Sequence, residues 1–421
     1  MIIIVYSETF KGNVHKQLGE SEYSYYFVLK EFRPLLEKFG IVVAVGDPVH
    51  EVPAIARSAA EHGETCLFLS FTPPHLTPID TGCPTVPFFA WEFDTLPDEA
   101  WDDEPRNDWR LPLGTVGRAI THSNFTVGVV KGVMGNDYPI ISIPAPVWDR
   151  FDELYRKIPP LPSCRGIDLR IVGVVVDTAA PDFVPVHRQV PSPSTADAPY
   201  RLHLEGIILC SVFNTQDGRK NWHDMMCAFC LEFRDDPDVT LVFKLTHHDP
   251  SKAFEHVMGT IYRLSPFKCR LVLIQGYLSD EDYEKLVGAT SFTVNASGGE
   301  GQCLPLMEFM AAGKPAIAPR HTALLDYMTD ENSFHVETSL EPSDWPHDPR
   351  DAFRAHRHRL DVSSLRRAYR EAYNVAKTDP ERYARMSVTA NRDLKAHCSR
   401  AVAERKLCDI LGFALPRSDP A

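Results

Sequence analysis

The stretch "SGGEGQCLPLMEFMAAGKPAI" at residues 297–317 decides how the second half of this 421-residue chain is interpreted. The apolar run "SFTVNAS" just before it is typical of a strand, and "GGEG" is typical of a turn. Pro305 lies where the helical pattern "LPLMEFMAA" has its first turn, and Gly313 follows where that pattern ends. The sequence therefore predicts a strand, a glycine-rich turn carrying Glu300, and a helix carrying Glu308.

This arrangement fits a ligand with an anionic centre. Backbone N–H groups near Gln302, Cys303 and Leu304 would point out of the helix N-terminus, where an anion is favoured. Glu308 can accept two hydrogen bonds from a vicinal diol, and Glu300 lies before the helix, nearer a cleft. A nucleotide sugar has a diol, an anionic middle and sugar hydroxyls. The alternative stays open that both glutamates are structural, because glutamates near a helix start complement its dipole.

Outward from this stretch, strand and helix patterns alternate in both halves of the chain. In the first half, "IIIVY", "IVVAVGD", "TCLFLSF" and "TVPFFAWEFD" alternate with the helical "SEYSYYFVLKEFRPLLEKFG" and "VPAIARSAAEHG". The second half repeats the pattern with "GIILCSVF", "VTLVFKL", "CRLVLIQGYL" and "KPAIAPR" as strands. The alternation predicts an α/β fold with parallel sheets covered on both faces. A proline-rich stretch at 178–200 predicts a loop near a domain junction, and residues from 362 onward have helical patterns.

Charge and composition restrict the classes of function. The net charge is −13 and no basic face is visible, which argues against a nucleic-acid partner. No apolar run is long enough for a membrane span, and the opening "MIIIVYSETF" lacks the basic start of a signal peptide. The ten cysteines are scattered, and their one close pair, "CAFC", lies on a helical pattern without a second pair for zinc. We therefore expect a cytoplasmic protein, with peripheral membrane contact left open.

The stretch at residues 297–317 resembles the E-x7-E motif of retaining glycosyltransferases with the GT-B fold, of the glycosyltransferase family 4 type. Its usual form is close to E-G-F-G-L-P-x-x-E-A-M-A-x-G-x-P-V-I. This chain departs from it at Gln302 and Cys303, which replace an aromatic residue and a glycine. The matching residues are Glu300, Gly301, Leu304, Pro305, Glu308, Met310, Ala311, Gly313, Pro315 and Ile317.

The resemblance implies two facing Rossmann-like domains with parallel sheets and a C-terminal helical segment. Residues 1–165 would form the acceptor-binding domain and residues 166–395 the donor-binding domain. Residues 396–421 would form a helix that packs back toward the first domain.

For the donor, the segment "SVFNTQDGRKNWHDMMCAF" looks like the phosphate-binding strand, loop and helix of that family. The family's lysine carries over onto Lys220, whereas its arginine position holds Asn214, for which the neighbouring Arg219 is a candidate substitute. The segment "LIQGYLSDEDYEKLVGAT" looks like the base-binding segment, with Tyr277 and Leu278 at the base. The turn and helix start would complete the donor site with Gly301, Gln302, Cys303, Leu304 and Glu308, next to the catalytic Glu300.

For the acceptor, the family often carries a histidine where this chain has "FFAWEFD". Trp91, Glu92 and Asp94 would then line the cleft floor, with Glu92 as a catalytic acceptor of a proton or hydroxyl hydrogen bond. The alternative is that Trp91 belongs to the core and Glu92 is a surface charge. His75 and His122 are weaker candidates.

The resemblance implies transfer of a sugar from a nucleoside diphosphate sugar to a sugar, glycan, lipid-linked or other hydroxyl acceptor. No metal or other cofactor is expected, because the fold as resembled uses a helix dipole and cations. Two alternatives remain open. One is a sugar-nucleotide epimerase of the same fold, and the other is a non-catalytic protein that binds sugar nucleotides.

Overall fold

The computed structural model describes residues 1–9, 19, 22–159, 161–185, 192–254 and 256–413. Within these residues the strands form one large sheet in each half of the chain and one two-stranded hairpin. Helices follow most of the strands, so the predicted α/β architecture is confirmed.

The first sheet has six strands in the order β2-β1-β3-β4-β5-β6, and every paired strand is parallel. In the first strand, Ile3 and Val5 face one core while Ile4 faces another, and all three are buried. A continuous apolar run is therefore needed here, because helices cover both faces of the sheet. The strands are β1 (Ile2–Tyr6), β2 (Ile41–Ala44), β3 (Cys66–Ser70), β4 (Thr85–Phe89), β5 (Ala119–Thr121) and β6 (Ile140–Ser142). The helices are α1 (Ser24–Leu36), α2 (Pro48–Glu61), α3 (Arg110–Val116), α4 (Asn124–Met134) and α5 (Trp148–Lys157).

The second sheet has the order β14-β13-β12-β9-β10-β11-β8, with β7 paired to β9. Its central strands are parallel, but β8 runs antiparallel to β11 and β7 antiparallel to β9. The predicted parallel sheet is confirmed in these central strands, and β7 and β8 add two antiparallel pairs to it. No described helix lies between β7 and β9 to make the crossover that a parallel pairing of these two strands would require. The strands are β7 (Cys164–Ile171), β8 (Val174–Asp177), β9 (Tyr200–Phe213), β10 (Val239–Leu245), β11 (Arg270–Gln275), β12 (Phe292–Val294), β13 (Ala316–Ala318) and β14 (Ser333–His335).

Helices of the second half cover its sheet, and the last of them returns to the first half. The Lys406 ammonium donates to the carbonyl of Ser142 in β6 at 2.9 Å, and Lys38 pairs with Glu404 at 2.6 Å. These contacts fix the C-terminal helix against the first sheet. The helices are α6 (Trp222–Glu232), α7 (Pro250–Phe254), α8 (Val257–Leu264), α9 (Asp280–Ala289), α10 (Leu304–Ala311), α11 (Val362–Thr378), α12 (Pro380–Cys398) and α13 (Arg400–Leu411).

An antiparallel hairpin of β15 (Thr338–Asp344) and β16 (Phe353–Leu360) follows the second sheet and was not predicted. It reaches the first half just beyond β4. The Trp345 indole donates to Thr95 Oγ1 at 3.0 Å, and Thr95 Oγ1 donates to the Arg354 carbonyl at 2.7 Å. Arg354 also pairs with Glu99 at 2.6 Å. The hairpin therefore fastens the second half to the first.

Some element boundaries differ from those predicted. The first helix ends at Leu36 rather than at Gly40, because the following turn tightens into bonds from Lys38 and Phe39 to carbonyls three residues back. Of the predicted loop at 178–200, residues 178–185 and 192–199 form neither helix nor strand, and residues 186–191 lie outside the described residues. Residue 21 of the first predicted helix and residues 414–421 of the C-terminal segment also lie outside them.

Candidate active site

A cavity of about 660 Å³, called the pocket below, lies between the two halves. Residues just beyond strand ends line it, namely Ala90 after β4, Asn214 after β9 and Tyr277 after β11. Ligands of open α/β folds bind at such carboxyl ends, and the volume is that of a small-molecule site. The pocket is therefore the candidate active site.

The structure brings nearly all of the predicted site residues together around this pocket. Asp94 is the exception, because it is not among the residues that line the pocket. Those that line it are Trp91, Glu92, Asn214, Arg219, Lys220, Tyr277, Leu278, Glu300, Gly301, Gln302, Cys303, Leu304 and Glu308.

Glu300 is held by two donors from neighbouring segments. Its Oε1 accepts from the Lys220 ammonium at 2.8 Å and from Asn295 Nδ2 at 2.9 Å, and the residue is 5% exposed. Burial raises the pKa of Glu300, but Lys220, Asn295 and Arg219 outweigh burial and bring the pKa below its usual 4.5. Glu300 is therefore an ionised carboxylate in the pocket wall.

Arg219 joins the two halves through carboxylates. It makes a two-pronged contact with Asp217 at 3.1 and 2.8 Å, and it forms an ion pair with Glu92 of the first half. Burial lowers the pKa of Arg219 from its usual value. The guanidinium charge is thus already shared between two carboxylates, which limits what remains for a phosphate.

Asn214, in the position where the resemblance would place an arginine, is engaged with the backbone. Its Nδ2 donates to the Gly19 carbonyl at 2.7 Å, and its Oδ1 accepts from the Gln216 amide at 3.1 Å. Asn214 therefore shapes the loop and carries no charge to the pocket.

The glycine-rich turn packs directly against the first half. A Cβ at Gly301 would lie 2.6 Å from the Ala90 Cβ, so a side chain there would push the halves apart. Gln302 Oε1 accepts from the Ala145 amide at 3.1 Å, which ties this side chain to the first half. Cys303 has a left-handed φ of 61° immediately before α10, which begins at Leu304. The helix N-terminus is thus positioned at the pocket, as the sequence predicts.

Glu308 lies in α10, half-buried, and bonds to the neighbouring helix. Its Oε2 accepts from the Tyr283 hydroxyl in α9 at 2.5 Å. Burial, and to a lesser degree the charge of Glu31, raises the pKa of Glu308 to about 7, against the lowering effects of Tyr283 and Arg150. Glu308 can therefore change its protonation near neutral pH.

The predicted base-binding residues follow β11 directly. Tyr277 is 42% exposed, whereas Leu278 is 7% exposed and belongs to the core that packs against the first half. The pair thus offers one aromatic side chain and one apolar wall at this end of the pocket.

On the acceptor side, Trp91 is a core residue. It is 2% exposed, its ring centroid lies 4.5 Å from that of Trp109, and its indole N–H donates to the Thr95 carbonyl at 2.7 Å. Asp94 instead accepts from the amide and Nδ1 of His356 in β16, at 2.8 and 2.9 Å. Among these three predicted residues, Glu92 alone combines a position on the pocket with a charge.

The histidines near the pocket are neutral at neutral pH. His122 is fully buried, and its Nδ1 lies 2.9 Å from the Ile143 carbonyl, which only accepts, so Nδ1 carries the proton. Its Nε2 has no hydrogen-bond partner among the described residues. Burial lowers the pKa of His122 to about 4 and that of His347 to about 4, and the pKa of His75 to about 3.

Several residues of the pocket or its walls were missed by the sequence reasoning, and three of them bear on its charges. Asn295, 5 residues before Glu300, and Tyr283 in α9 hold Glu300 and Glu308 through contacts that no spacing rule marks. Lys244 lines the pocket from β10. A signal for Lys244 was available, because a lysine near the end of the otherwise apolar "VTLVFKL" is unusual in a buried strand.

No group of three or more His, Cys, Asp or Glu side chains among the described residues is placed to hold a metal ion, and metal independence stays a prediction. None of the described helices has the length and apolar character needed to cross a membrane.

No protein-family model matches the sequence, and no curated protein sequence matches it. Solved structures match the whole fold. Sucrose-phosphate synthase from Thermosynechococcus elongatus aligns with a TM-score of 0.59 at 12% identity, covering 98% of each chain. A glycosyltransferase from Rickettsia africae aligns with a TM-score of 0.57 at 13% identity, covering 98% of this chain and 99% of its own. Anabaena HepE, solved in complex with UDP, aligns with a TM-score of 0.56 at 12% identity over 98% and 99%. These likenesses confirm the GT-B fold.

Proposed function

We propose that this protein is a retaining glycosyltransferase of the E-x7-E, family 4 type. It transfers a sugar from a nucleoside diphosphate sugar to a hydroxyl of a sugar, glycan or lipid-linked acceptor in glycoconjugate biosynthesis. The observation that carries the proposal is the convergence of Lys220, Glu300, Glu308 and the N-terminus of α10 on one pocket between two α/β halves. The fold it shares with HepE, which has been solved with UDP-glucose, supports this donor class.

The donor is assigned to the second half. The diphosphate lies at the N-terminus of α10 and near Lys220, where the helix dipole and an ammonium favour an anion. Glu308 accepts hydrogen bonds from the ribose hydroxyls, and Tyr277 and Leu278 contact the base. Glu300, as an ionised carboxylate, faces the donor sugar where positive charge develops at the anomeric carbon.

The reaction proceeds on one face of the donor sugar. The bond from the anomeric carbon to the diphosphate oxygen breaks, and the acceptor oxygen forms its bond on the same face. The acceptor's proton passes to the departing diphosphate, so charge and protons balance without a covalent enzyme intermediate. The protein's part is to position the groups and to stabilise the transferring charge.

Glu92 is the acceptor-side group. One of its oxygens meets Arg219, and the second can accept a hydrogen bond from an acceptor hydroxyl. Trp91 supports this position from the core, and Asp94 supports it through the hairpin contact to His356. Cytoplasmic location remains a prediction.

The test is to incubate the protein with UDP-, GDP-, ADP- and dTDP-sugars, with and without a panel of sugar acceptors. Release of nucleoside diphosphate that rises with acceptor, together with a product of unchanged anomeric configuration by NMR, would support the proposal. Conversion of the donor to an epimer without acceptor would favour the epimerase. Tight donor binding with no release, even by slow hydrolysis, would favour the non-catalytic binding protein.

A further inference from the structure

The pocket contains one buried cation without a carboxylate partner. Lys244 is 6% exposed, and its ammonium donates to the Leu245 carbonyl at 2.9 Å. Among the described residues, no carboxylate oxygen lies within 4.0 Å of this ammonium. An ammonium has three donors, so the remaining two have no acceptor within the described part of the chain.

The other cations of the pocket are neutralised. Five lysine and arginine side chains of the described residues line it, and four of them are paired with carboxylates. Arg219 pairs with Asp217 and Glu92, and Lys220 pairs with Glu300. The remaining two pairs are those of Lys30 with Asp280 and of Arg150 with Asp280 and Glu284. An anion that enters the pocket therefore meets one uncompensated charge, that of Lys244.

The register of the sheet places Lys244 beside the phosphate-binding loop. Lys244 in β10 is the direct partner of Val212 in the parallel strand β9, and Asn214 follows two residues later. Neighbouring side chains in register point to the same face of a sheet, and Val212 and Lys244 both line the pocket. Lys244 thus lies near Asn214, which is uncharged at the position where the resemblance implies an arginine.

Burying an unpaired ammonium costs free energy unless a ligand neutralises its charge and accepts its hydrogen bonds. Burial lowers the pKa of Lys244 to about 8, and no carboxylate opposes that shift. Lys314 is a comparable buried lysine. It is 4% exposed, donates to the Gly288 carbonyl at 3.0 Å, and burial lowers its pKa to about 8. Unlike Lys244, it does not line the pocket. The chain therefore contains a matched buried lysine outside the site.

We infer that Lys244 is a second phosphate-binding cation of the donor site, contacting the diphosphate of the nucleotide in place of the charge that Asn214 lacks. This inference rests on the proposed function, because it takes the pocket's ligand to be a nucleoside diphosphate. It adds to that function a residue whose charge, unlike those of Lys220 and Arg219, is free for the ligand before binding.

The test compares Lys244→Met with the control Lys314→Met by isothermal titration calorimetry. Methionine has a similar length and no charge, so both variants should keep their folded near-UV circular dichroism spectrum. The probe is the tightest binder to the wild type among UDP, GDP, ADP and dTDP, used with its monophosphate and its free nucleoside. Lys244→Met should weaken the binding of the nucleoside diphosphate about 10-fold or more, which corresponds to about 1.4 kcal/mol. The affinity of Lys244→Met for the free nucleoside should stay within about twofold of the wild-type value. Lys314→Met should change neither affinity.

Two outcomes would overturn the inference while leaving the proposed function intact. One is wild-type affinity of Lys244→Met for the diphosphate. The other is an equal loss for the diphosphate and the nucleoside, which would assign Lys244 to the base. If the wild type binds none of the four nucleoside diphosphates, the proposed function itself fails, and the inference fails with it.

Discussion

The ammonium of Lys220 lies 2.8 Å from Oε1 of Glu300, although the two residues are 80 positions apart in the chain. The pair joins the loop after β9 to the glycine-rich turn after β12, and both side chains line the pocket. Removing one partner would leave the other charge buried and unpaired. The two residues therefore need separate tests, with substitutions that change one charge at a time.

Lys220→Ala should weaken nucleoside diphosphate binding by about 1.5–3 kcal/mol, the range for a hydrogen bond to a charged group. The loss has two causes, because a phosphate contact disappears and the carboxylate of Glu300 then repels the diphosphate. Titration calorimetry measures the effect. Lys285→Ala is the control, since Lys285 pairs with Glu281 on the surface of α9. Equal affinities of Lys220→Ala and the control would remove Lys220 from the site.

Glu300→Gln should lower kcat about 10-fold or more, which corresponds to about 1.4 kcal/mol, with a smaller change in donor KM. A carboxylate beside the donor sugar interacts more strongly once positive charge develops in the transition state. Steady-state kinetics with saturating acceptor separates the two constants. A variant that turns over at the wild-type rate would return Glu300 to a structural role.

Glu308→Gln should instead raise donor KM with a smaller effect on kcat, because contacts to the ribose are the same in the ground and transition states. Tyr283→Phe removes the hydrogen bond to Glu308 and should shift KM in the same direction by a smaller factor. Both variants must first give the wild-type thermal melting profile. Equal effects of Glu300→Gln and Glu308→Gln on KM, with turnover intact, would contradict this division of roles.

Donor binding should release a proton near pH 6.5, and the source should be Glu308. Its folded-state pKa of about 7 lies above the usual 4.5, so ionising this group costs stability, which falls as pH rises from about 4.5 to about 7. Hydrogen bonds from a ribose diol favour the ionised form, so donor affinity should rise between pH 6 and 8.

Calorimetry in two buffers of different ionisation enthalpy counts the released protons. Glu308→Gln should abolish the proton release on donor binding, because glutamine has no carboxyl group to ionise. Glu22, whose pKa burial raises to about 7, stays in place in that variant and serves as an internal reference. Persisting proton release in Glu308→Gln would assign it to Glu22 or another group.

Activity should survive removal of divalent metal ions. The predicted reaction relies on the α10 dipole, Lys220 and Lys244 to stabilise the departing diphosphate. Dialysis against EDTA should leave at least about half of the initial rate, and added Mg²⁺ or Mn²⁺ should not restore more. Loss of activity that returns with either ion would show that the reaction depends on a metal.

The strands of the two sheets could be predicted where their apolar runs were long. The hairpin could not, because contacts with residues distant in the chain hold it in place. Strands such as β1 and β10 are covered on both faces, so nearly every residue must be apolar and the pattern is visible. The hairpin sequences "TSLEPSD" and "FRAHRHRL" have no such pattern, because the two strands pair with each other and β16 meets polar groups of the first half.

The same limit applies to the site. The turn and helix that carry Glu300 and Glu308 could be predicted from glycines, Pro305 and helical spacing. What sets their charge could not be predicted, since Lys220, the main group that lowers the pKa of Glu300, is 80 positions away, and burial raises the pKa of Glu308. Trp91 was left open between core and pocket, and its 2% exposure follows from packing on Trp109, which lies on a separate segment.

The hairpin of β15 and β16 has a mechanical consequence for ligand exchange. Its connecting residues Pro346 and His347 line the pocket, and its flanks hold Thr95, Asp94 and Glu99 of the first half. A hinge motion that widens the mouth must break these bonds together. Since the pairs to Asp94 and Glu99 are partly exposed, salt weakens them. We therefore expect higher ionic strength to weaken the contact between the hairpin and the first half.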